Sequence, residues 1–302
     1  MSLDQHQSDD GRVFKLGWVP PPSDAGLMRA NDTSIRAYRN AMGLSPVIPD
    51  SELKAVDLVT PFGTALIEYQ RQYGSCTCAA ATGAMMRRAV MDGWPITKLS
   101  WCQLYDKING GHDNGSNIRD SLTQLISAGV VPMSFYNTCK FDRQGRAPDG
   151  APVYKESVMV TVDDSDEVCA GVSARMPTEF PVCVDKPWER YDQYGFCGIS
   201  NSKQGNHAIY AAGIVPGRML GGRTGILAAN SWDKTWGPFA KANPSWLGQW
   251  LAEAGSPAPK EQFPLAGCML IDRAAIDRVA SSDDGYGHGG TIVPGGGAVP
   301  GE

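Results

Sequence analysis

The sequence contains no apolar run approaching the roughly 20 residues that cross a bilayer as a helix. It also lacks a dense basic cluster, because its 27 Lys and Arg residues are spread along the chain and are outnumbered by 32 Asp and Glu residues. The polar, acidic N-terminus has neither the basic start nor the apolar core of a secretory signal. These absences argue against a membrane protein and a nucleic-acid-binding protein. They predict a soluble chain that is cytoplasmic at synthesis.

Closely paired cysteines are absent as well. The chain is long enough to bury its own core, and its cysteines are widely spread, so free thiols are expected rather than a disulfide framework. Cys-Thr-Cys with four scattered histidines is not the ligand spacing of a structural zinc site, and no metal is predicted. The eight cysteines are Cys76, Cys78, Cys102, Cys139, Cys169, Cys183, Cys197 and Cys268.

The most informative stretch is QRQYGSCTCAAATGAMM, residues 70–86. A Gly-Ser turn precedes Cys76, and the Ala-rich segment after it has strong helix propensity, so Cys76 is predicted to open a helix. A helix N-terminus carries about half a positive charge and favours a thiolate, which makes Cys76 a candidate nucleophile. Gln70 is placed to return its side-chain amide beside the sulfur and donate to an oxyanion. Taken alone, Cys76 also fits a small buried apolar residue.

A thiolate nucleophile needs a base that holds a proton near neutral pH, which is the chemistry of histidine. Only four histidines are present. His6 and His288 lie in polar terminal segments, and His112 lies in a glycine-rich loop. His207, in GNHAIYAAG, stands at the start of a predicted strand and is the candidate base.

An asparagine completes the pattern. Asn230, in AANSWDKTWG, follows His207 by 230 − 207 = 23 residues. Its side-chain carbonyl can accept from the second ring nitrogen of His207 and so fix the tautomer of the imidazole. Trp232 and Trp236 are expected to shield this bond from water.

Together these motifs resemble those of papain-like cysteine peptidases, particularly of the bacterial and phage type. The resemblance rests on the six-residue spacing from Gln to Gly-Ser-Cys, on a His 207 − 76 = 131 residues after the cysteine, and on Asn-Ser-Trp followed by Trp-Gly. It extends over roughly residues 17–273. Three features depart from the family: Thr77 replaces an aromatic residue, Asp233 stands where relatives usually have Gly, and a predicted helical insertion follows Gly237.

The resemblance implies an α+β fold in which a helical subdomain, with its central helix starting at the catalytic Cys, packs against a β-sheet or barrel subdomain, with the active-site cleft between them. We expect an N-terminal arm at 1–55, a helical subdomain at 56–150, a β-rich subdomain at 151–278 and a flexible Gly/Pro-rich tail at 279–302. Helical patterns cover residues 34–41, 77–91, 99–108 and 117–127. Strand patterns cover residues 158–162, 180–184, 208–215, 225–229 and 268–271.

The resemblance further implies a peptidase without metal or organic cofactor. Cys76 would attack the peptide carbonyl, His207 would hold and return the proton, Asn230 would orient the imidazole, and Gln70 would stabilise the oxyanion. The implied partner is a protein or peptide substrate. The alternative is a papain-fold structural or binding protein, for example a phage particle component, with a vestigial or rarely used site.

Residues 109–117, NGGHDNGSN, are called the glycine loop here. This loop resembles the wall along which family substrates lie in an extended strand. Gly110, Gly111 and Gly115 are the candidates for substrate contact, because glycine has no side chain to block a close approach. Trp232 is a further candidate contact. A plain surface turn also explains NGG and DNG.

Overall fold

The computed structural model describes residues 47–279, with short gaps at 143, 157, 163, 185–187, 189 and 200–205, together with residues 5–7, 13–15, 285–289 and 293–295. Gly17-Trp18, the three prolines at 20–22 and the helix predicted for 34–41 lie outside these residues. The described residues include most of the segments expected to form the helical and β-rich subdomains.

Helices dominate the first half, as predicted, and also occur between the strands of the second half. Within the described ranges, no helix is long and apolar enough to cross a membrane. The α-helices are α1 (Cys76–Met91), α2 (Trp101–Ile108), α3 (Ile118–Ser127), α4 (Ser165–Ser173), α5 (Leu247–Ala254) and α6 (Arg273–Val279), and short 3-10 helices cover Thr64–Leu66 and Gly217–Met219.

An antiparallel sheet forms the other layer, in the order β5-β10-β6-β7-β8-β9, and β3 also pairs with β7. Two small ribbons, β1-β2 and β4-β11, lie outside it. The strands are β1 (Gln5–Gln7), β2 (Val13–Lys15), β3 (Val56–Asp57), β4 (Val153–Lys155), β5 (Val158–Val162), β6 (Thr178–Val182), β7 (His207–Val215), β8 (Gly225–Ala229), β9 (Cys268–Asp272), β10 (Gly285–Gly289) and β11 (Val293–Gly295).

Helix α1 is the centre of the helical layer. It begins at Cys76, as its sequence predicts, and it ends before Gly93, which has a φ of 90°. Residues on every face of its first three turns are buried, the pattern expected of a helix enclosed by the protein rather than one lying on its surface. All nine residues of β7 are buried too, so α1 and β7 form the interior of the molecule.

Helix α1 packs against β7 with little space between them. A Cβ placed on Gly83 would lie 2.7 Å from Cε1 of Tyr210, so glycine permits this close approach. One turn later, the buried Arg87 donates to Tyr210 Oη at 2.7 Å and to the Leu58 carbonyl at 3.0 Å. The Leu58 N–H in turn donates to the carbonyl of Ala212, two residues beyond Tyr210. Later residues of α1 therefore lie beside later residues of β7, and the two elements run in the same direction.

Cys76 and His207 are the first residues of α1 and β7. Gly83 follows Cys76 by seven residues, which is about 10 Å along a helix. Tyr210 follows His207 by three residues, which is about 10 Å along a strand. Because Gly83 and Tyr210 are in contact and the two elements run together, Cys76 and His207 lie at the same end of the packed pair.

Most predicted elements are present at or near their predicted bounds. The bounds of β5 and β8 match their predictions fully. Both ends of the other predicted elements within the described residues lie no more than two residues from their predicted positions: α1, α2, α3, β6, β7 and β9. The insertion after Gly237 contains a helix, α5, as expected. The helices α4 and α6 were not predicted.

The C-terminal segment is placed differently from its prediction. Its composition predicts a flexible tail, whereas Gly285–Gly289 pairs with both β5 and β6, and Val293–Gly295 pairs with β4. Backbone N–H and C=O groups make these pairings. Composition reports mainly on apolar burial, so it gave no indication of them.

Candidate active site

His207 and Asn230 form the best-defined polar contact of the site. His207 Nε2 lies 2.7 Å from Asn230 Oδ1, with both side chains buried. His207 opens β7, and Asn230 directly follows the neighbouring strand β8, so the pairing of the two strands brings them together. An amide oxygen only accepts, so Nε2 carries the hydrogen, and the remaining ring nitrogen is Nδ1.

A cluster of three tryptophans lies beside the His207 ring. The Trp232 ring lies 4.8 Å from the His207 ring between centroids, and the Trp236 ring lies 5.2 Å from that of Trp232. Trp188 meets the His207 ring edge-on at 6.2 Å and is fully buried. Trp232 therefore takes the shielding position expected from the sequence, whereas Trp236 packs behind it, against the rings of Trp232 and Trp188. Trp188 adds a third ring, and sequence reasoning had not singled it out.

Gln70 is fixed to the segment that carries Asn230. Its backbone N–H donates to the Ser231 carbonyl at 2.9 Å, and its Oε1 accepts from Ser231 Oγ at 2.5 Å. Tyr69 and Trp232 form an isolated β-bridge next to it. The Gln70 Nε2 donates to the Tyr73 carbonyl at 2.8 Å, within the turn that leads to Cys76. The structure therefore brings Gln70, Asn230 and His207 into one connected group.

Cys76 and its surroundings are fully enclosed. Cys76, Gln70 and His207 all have 0% of their surface exposed. The Cys76 backbone N–H belongs to the first turn of α1, where N–H groups have no acceptor within the helix.

Thr77 occupies the position of the aromatic residue expected in the family. It is fully buried, and its Oγ1 lies 2.5 Å from Ser116 Oγ of the glycine loop. Cys78, one residue further, lies 3.9 Å from the same hydroxyl. Burial raises the pKa of the Cys78 thiol well above its ordinary value. Cys78 is therefore a protonated, structural thiol beside the candidate nucleophile.

The glycine loop is tied to the turn before Cys76 through its central residue, Asp113. The Gly115 N–H donates to Tyr105 Oη at 3.0 Å, and Tyr105 Oη donates to Asp113 Oδ1 at 2.8 Å. Asp113 Oδ1 also accepts from the Gly74 N–H at 2.8 Å. Gly110 and Gly111 have φ values of 68° and 83°. A Cβ on Gly110 would meet no other heavy atom within 4 Å, so the space beside this residue is open.

Glu68 is a buried carboxyl group two residues before Gln70. Only 3% of its surface is exposed, and its Oε1 has no hydrogen-bond partner among the described residues. Burial raises the pKa of Glu68 to about 7, although the charges of Lys98 and Arg87 oppose the rise. Its backbone carbonyl accepts from the Asp233 N–H at 3.3 Å. Glu68 is therefore a buried ionisable group, two residues from Gln70 in the chain, whose charge changes near neutral pH.

Several residues around the site were not identified from the sequence: Ser231, Trp188, Tyr105 and Asp113. Ser231 could have been found, because it lies inside the Asn-Ser-Trp motif. Asp113 also had a signal, since an Asp between glycines often accepts backbone N–H groups. Tyr105 and Trp188 are common core residue types, and no local pattern marks their contacts.

The fold is similar to that of solved cysteine proteases. Xylellain, a cysteine protease from Xylella fastidiosa, superposes with a TM-score of 0.61 at 17% identity, over 95% of this chain and 98% of that one. The bromelain protease from Ananas comosus, solved with the E64 inhibitor, gives a TM-score of 0.54 at 18% identity, over 82% of this chain and 99% of that one. The proform of the ragweed pollen allergen Amb a 11, a cysteine protease, gives a TM-score of 0.56 at 20% identity, over 82% of this chain and 65% of that one. No curated protein sequence matches the chain significantly.

The family model described as papain family cysteine protease matches residues 54–240. This range begins just before β3 and ends after the Asn-Ser-Trp motif, so it contains Gln70, Cys76, His207 and Asn230. The solved structures agree with it in fold. Because the matched range is more than half of the sequence, the chain belongs to the papain family of cysteine proteases.

Proposed function

We propose that this cysteine peptidase cleaves peptide bonds through a thiolate mechanism carried by Cys76, His207 and Asn230. The observation that carries the proposal is the buried 2.7 Å contact between His207 Nε2 and Asn230 Oδ1. It directs Nδ1 of the imidazole to the proton-transfer role. The shared end of α1 and β7 supports Cys76 as its partner.

The reaction has two halves. The Cys76 thiolate attacks the peptide carbonyl carbon, a C–S bond forms, and the carbonyl π electrons move onto oxygen. As the oxyanion collapses, the C–N bond breaks, and His207 delivers its Nδ1 proton to the departing amine. Water then attacks the thioester while His207 takes one of its protons, the C–S bond breaks, and the thiolate and imidazolium are restored. The product leaves as a carboxylic acid that retains the second water proton and then loses it to solvent.

The oxyanion is assigned to Gln70 and to the backbone N–H of Cys76. A side-chain amide carries two N–H hydrogens, and the Tyr73 carbonyl accepts one of them from Gln70 at 2.8 Å. The second N–H hydrogen of Gln70 then donates to the oxyanion. The Ser231 hydroxyl on Gln70 Oε1 supports this orientation, because it makes oxygen the amide atom that faces Ser231.

The substrate is proposed to be a protein or peptide that lies along the glycine loop, with Trp232 as a further contact. Of the three candidate glycines, Gly115 has the firmest link to the turn before Cys76, through Tyr105 and Asp113. Gly110 and Gly111 remain proposed contacts by their place in the loop.

The experiment uses E64, the inhibitor present in the bromelain structure, together with hydrolysis of fluorescently labelled casein. We expect one equivalent of E64 to modify Cys76, and we expect Cys76→Ala to abolish casein hydrolysis. Cys78→Ala is the matched control and should retain both properties. Because Cys76 is buried, a small electrophile such as iodoacetamide is tested in parallel.

Two results would oppose the proposal. Hydrolysis that survives in Cys76→Ala would place the nucleophile elsewhere. A chain that hydrolyses nothing, and whose Cys76 reacts no faster than its seven other cysteines, would favour the structural or binding protein with a vestigial site.

A further inference from the structure

One peptide unit of the turn before Cys76 is held from both sides. The Tyr73 carbonyl accepts from Gln70 Nε2 at 2.8 Å. The N–H of the same peptide unit, contributed by Gly74, donates to Asp113 Oδ1 at 2.8 Å. Asp113 therefore contacts the peptide unit that positions the amide of Gln70.

Asp113 is itself held by a rigid element. Its Oδ1 also accepts from Tyr105 Oη at 2.8 Å, and Tyr105 is fully buried on α2. Burial, and next the charge of Asp113, raise the pKa of the Tyr105 phenol, so the phenol remains a donor at any physiological pH. The same Tyr105 oxygen accepts from the Gly115 N–H at 3.0 Å. The carboxylate is thus fixed by a helix, and Tyr105 joins it to Gly115 of the same loop.

A carboxylate that accepts from a peptide N–H draws electron density toward the carbonyl oxygen of that peptide. Hydrogen bonds in such a chain strengthen one another, so the Tyr73 carbonyl becomes a better acceptor for Gln70. The bond between Tyr73 and Gln70 in turn fixes the direction of the second amide hydrogen. Removing Asp113 would leave the peptide unit held only by Gln70 and would therefore loosen Gln70.

We propose that Asp113 is a positioning residue for oxyanion stabilisation, acting on Gln70 through the Tyr73–Gly74 peptide unit. The inference rests on the proposed function, because it assumes that Gln70 donates to the oxyanion.

The loop has another attachment that does not involve Asp113. Ser116 Oγ lies 2.5 Å from Thr77 Oγ1, with both residues buried. Loss of the Asp113 carboxylate should therefore leave the loop attached to α1. This separates the positioning role from a general role in folding.

The test is a double-mutant cycle between Asp113→Ala and Gln70→Ala, with kcat and KM measured on a fluorogenic peptide amide that the native chain cleaves. Asp113→Ala should lower kcat roughly 10- to 100-fold, the range for lost outer-shell positioning partners, with a smaller change in KM. In the double variant the loss should equal that of Gln70→Ala alone. Iodoacetamide alkylation of Cys76 forms no oxyanion, so its rate should stay at the native value in Asp113→Ala.

Two further variants sharpen the result. Asp113→Asn retains an oxygen that can accept from both Gly74 and Tyr105, and it should recover most of the native kcat. Asp142→Ala is the control, because the exposed Asp142 likewise accepts two loop N–H groups, from Gln144 at 3.0 Å and from Gly145 at 3.1 Å, but lies outside this network. Its kinetics should match those of the native chain.

Additive losses in the cycle would overturn the inference, as would an equal fall in the alkylation rate of Cys76 in Asp113→Ala. A native chain with an unreactive Cys76 would overturn the proposed function, and the inference would fall with it. A reactive native chain with additive losses would overturn the inference alone. The two failures are therefore distinguishable.

Discussion

His207 Nε2 lies 2.7 Å from Asn230 Oδ1, in a setting where neither residue is more than 2% exposed. A hydrogen bond with this little solvent around it has no water to compete for either partner. The ring of Trp232, 4.8 Å from that of His207, covers the pair from one side. The imidazole is therefore held in one tautomer and one orientation before any substrate arrives.

Asn230→Ala should lower kcat about 10- to 100-fold, the usual cost of losing a partner that orients a functional group. The imidazole would still be present to pair with the thiolate, so alkylation of Cys76 by iodoacetamide should change much less than turnover. The measurements are steady-state kinetics on a peptide amide and a single-turnover alkylation rate.

Asn243→Ala is the matched control for that variant. Asn243 is exposed, and its Nδ2 donates to the Gln262 carbonyl at 2.8 Å within the insertion. Its substitution should leave both rates unchanged. An Asn230→Ala enzyme with native kcat would show that Asn230 does not orient the base.

Asp233 has a φ of 81°, in a region of backbone space that glycine occupies without strain. The family resemblance places glycine at this position. No hydrogen bond or ion pair of its carboxylate occurs within the described part of the chain. Asp233→Gly should therefore raise the free energy of unfolding by about 1 kcal/mol, measured by urea denaturation at constant pH.

Gly237→Ala provides the opposite control four residues later. Gly237 has a φ of 93°, and a Cβ there would lie 2.8 Å from the carbonyl oxygen of Cys268. The free energy of unfolding of Gly237→Ala should be lower than that of the native chain by roughly 1 to 3 kcal/mol. If Asp233→Gly were also less stable than the native chain, the carboxylate would be making a contact that outweighs the backbone strain.

The sequence predicted the site to the extent that the site depends on local motifs. The Ala-rich run fixed the start of α1 at Cys76, and alternation of small and apolar residues fixed the start of β7 within one residue of His207. The distance of 23 residues from His207 to Asn230 then follows from two adjacent antiparallel strands. Local propensity and long-range pairing agree at these positions.

Contacts between distant segments could not be predicted in the same way. The bond from Gly74 to Asp113 joins residues 39 apart, and only the folded backbone brings them together. The pairing of β10 between β5 and β6 depends on backbone groups in a segment of low apolar content, where side-chain patterns carry no information. The helix α4 did have a signal, because Asp164 caps it by accepting from the Glu167 N–H at 2.8 Å.

Glu68 should make the protein less stable as the pH rises. Burial raises the pKa of Glu68 from 4.5 to about 7, so between these values the folded chain holds a proton that the unfolded chain has lost. Stability from this group is fully present below pH 4.5 and is lost as the pH rises through about 7. The free energy of unfolding should fall by roughly 3 kcal/mol over this pH range.

Glu68→Gln removes the titration while keeping the size and shape of the side chain. The variant should be more stable than the native chain at pH 8, with a smaller difference at pH 4.5. The measurement is urea denaturation of both proteins at a series of pH values between these two. Glu52→Gln, at an exposed glutamate, is the control and should follow the native curve. Parallel curves for the native chain and Glu68→Gln would show that Glu68 does not titrate in this window.

The ionisation of the Cys76 thiol separates a working peptidase from a papain-fold protein with a vestigial site. Cys76 opens α1, and His207 lies at the same end of the packed pair, so the helix N-terminus and an imidazolium both favour the thiolate. The rate of Cys76 alkylation by iodoacetamide should therefore reach half its maximum at acidic pH, well below the value of about 8.5 for an ordinary thiol. In His207→Ala the midpoint should move up toward that value, whereas Asn230→Ala should leave it nearly unchanged. Peptide mass mapping resolves each cysteine, and Cys78 is an internal control, because burial raises the pKa of its thiol well above its ordinary value and it should stay unmodified across the range. If the native and His207→Ala profiles rise together only above about pH 8, no thiolate–imidazolium pair exists, and a structural or binding role accounts for the chain better than catalysis.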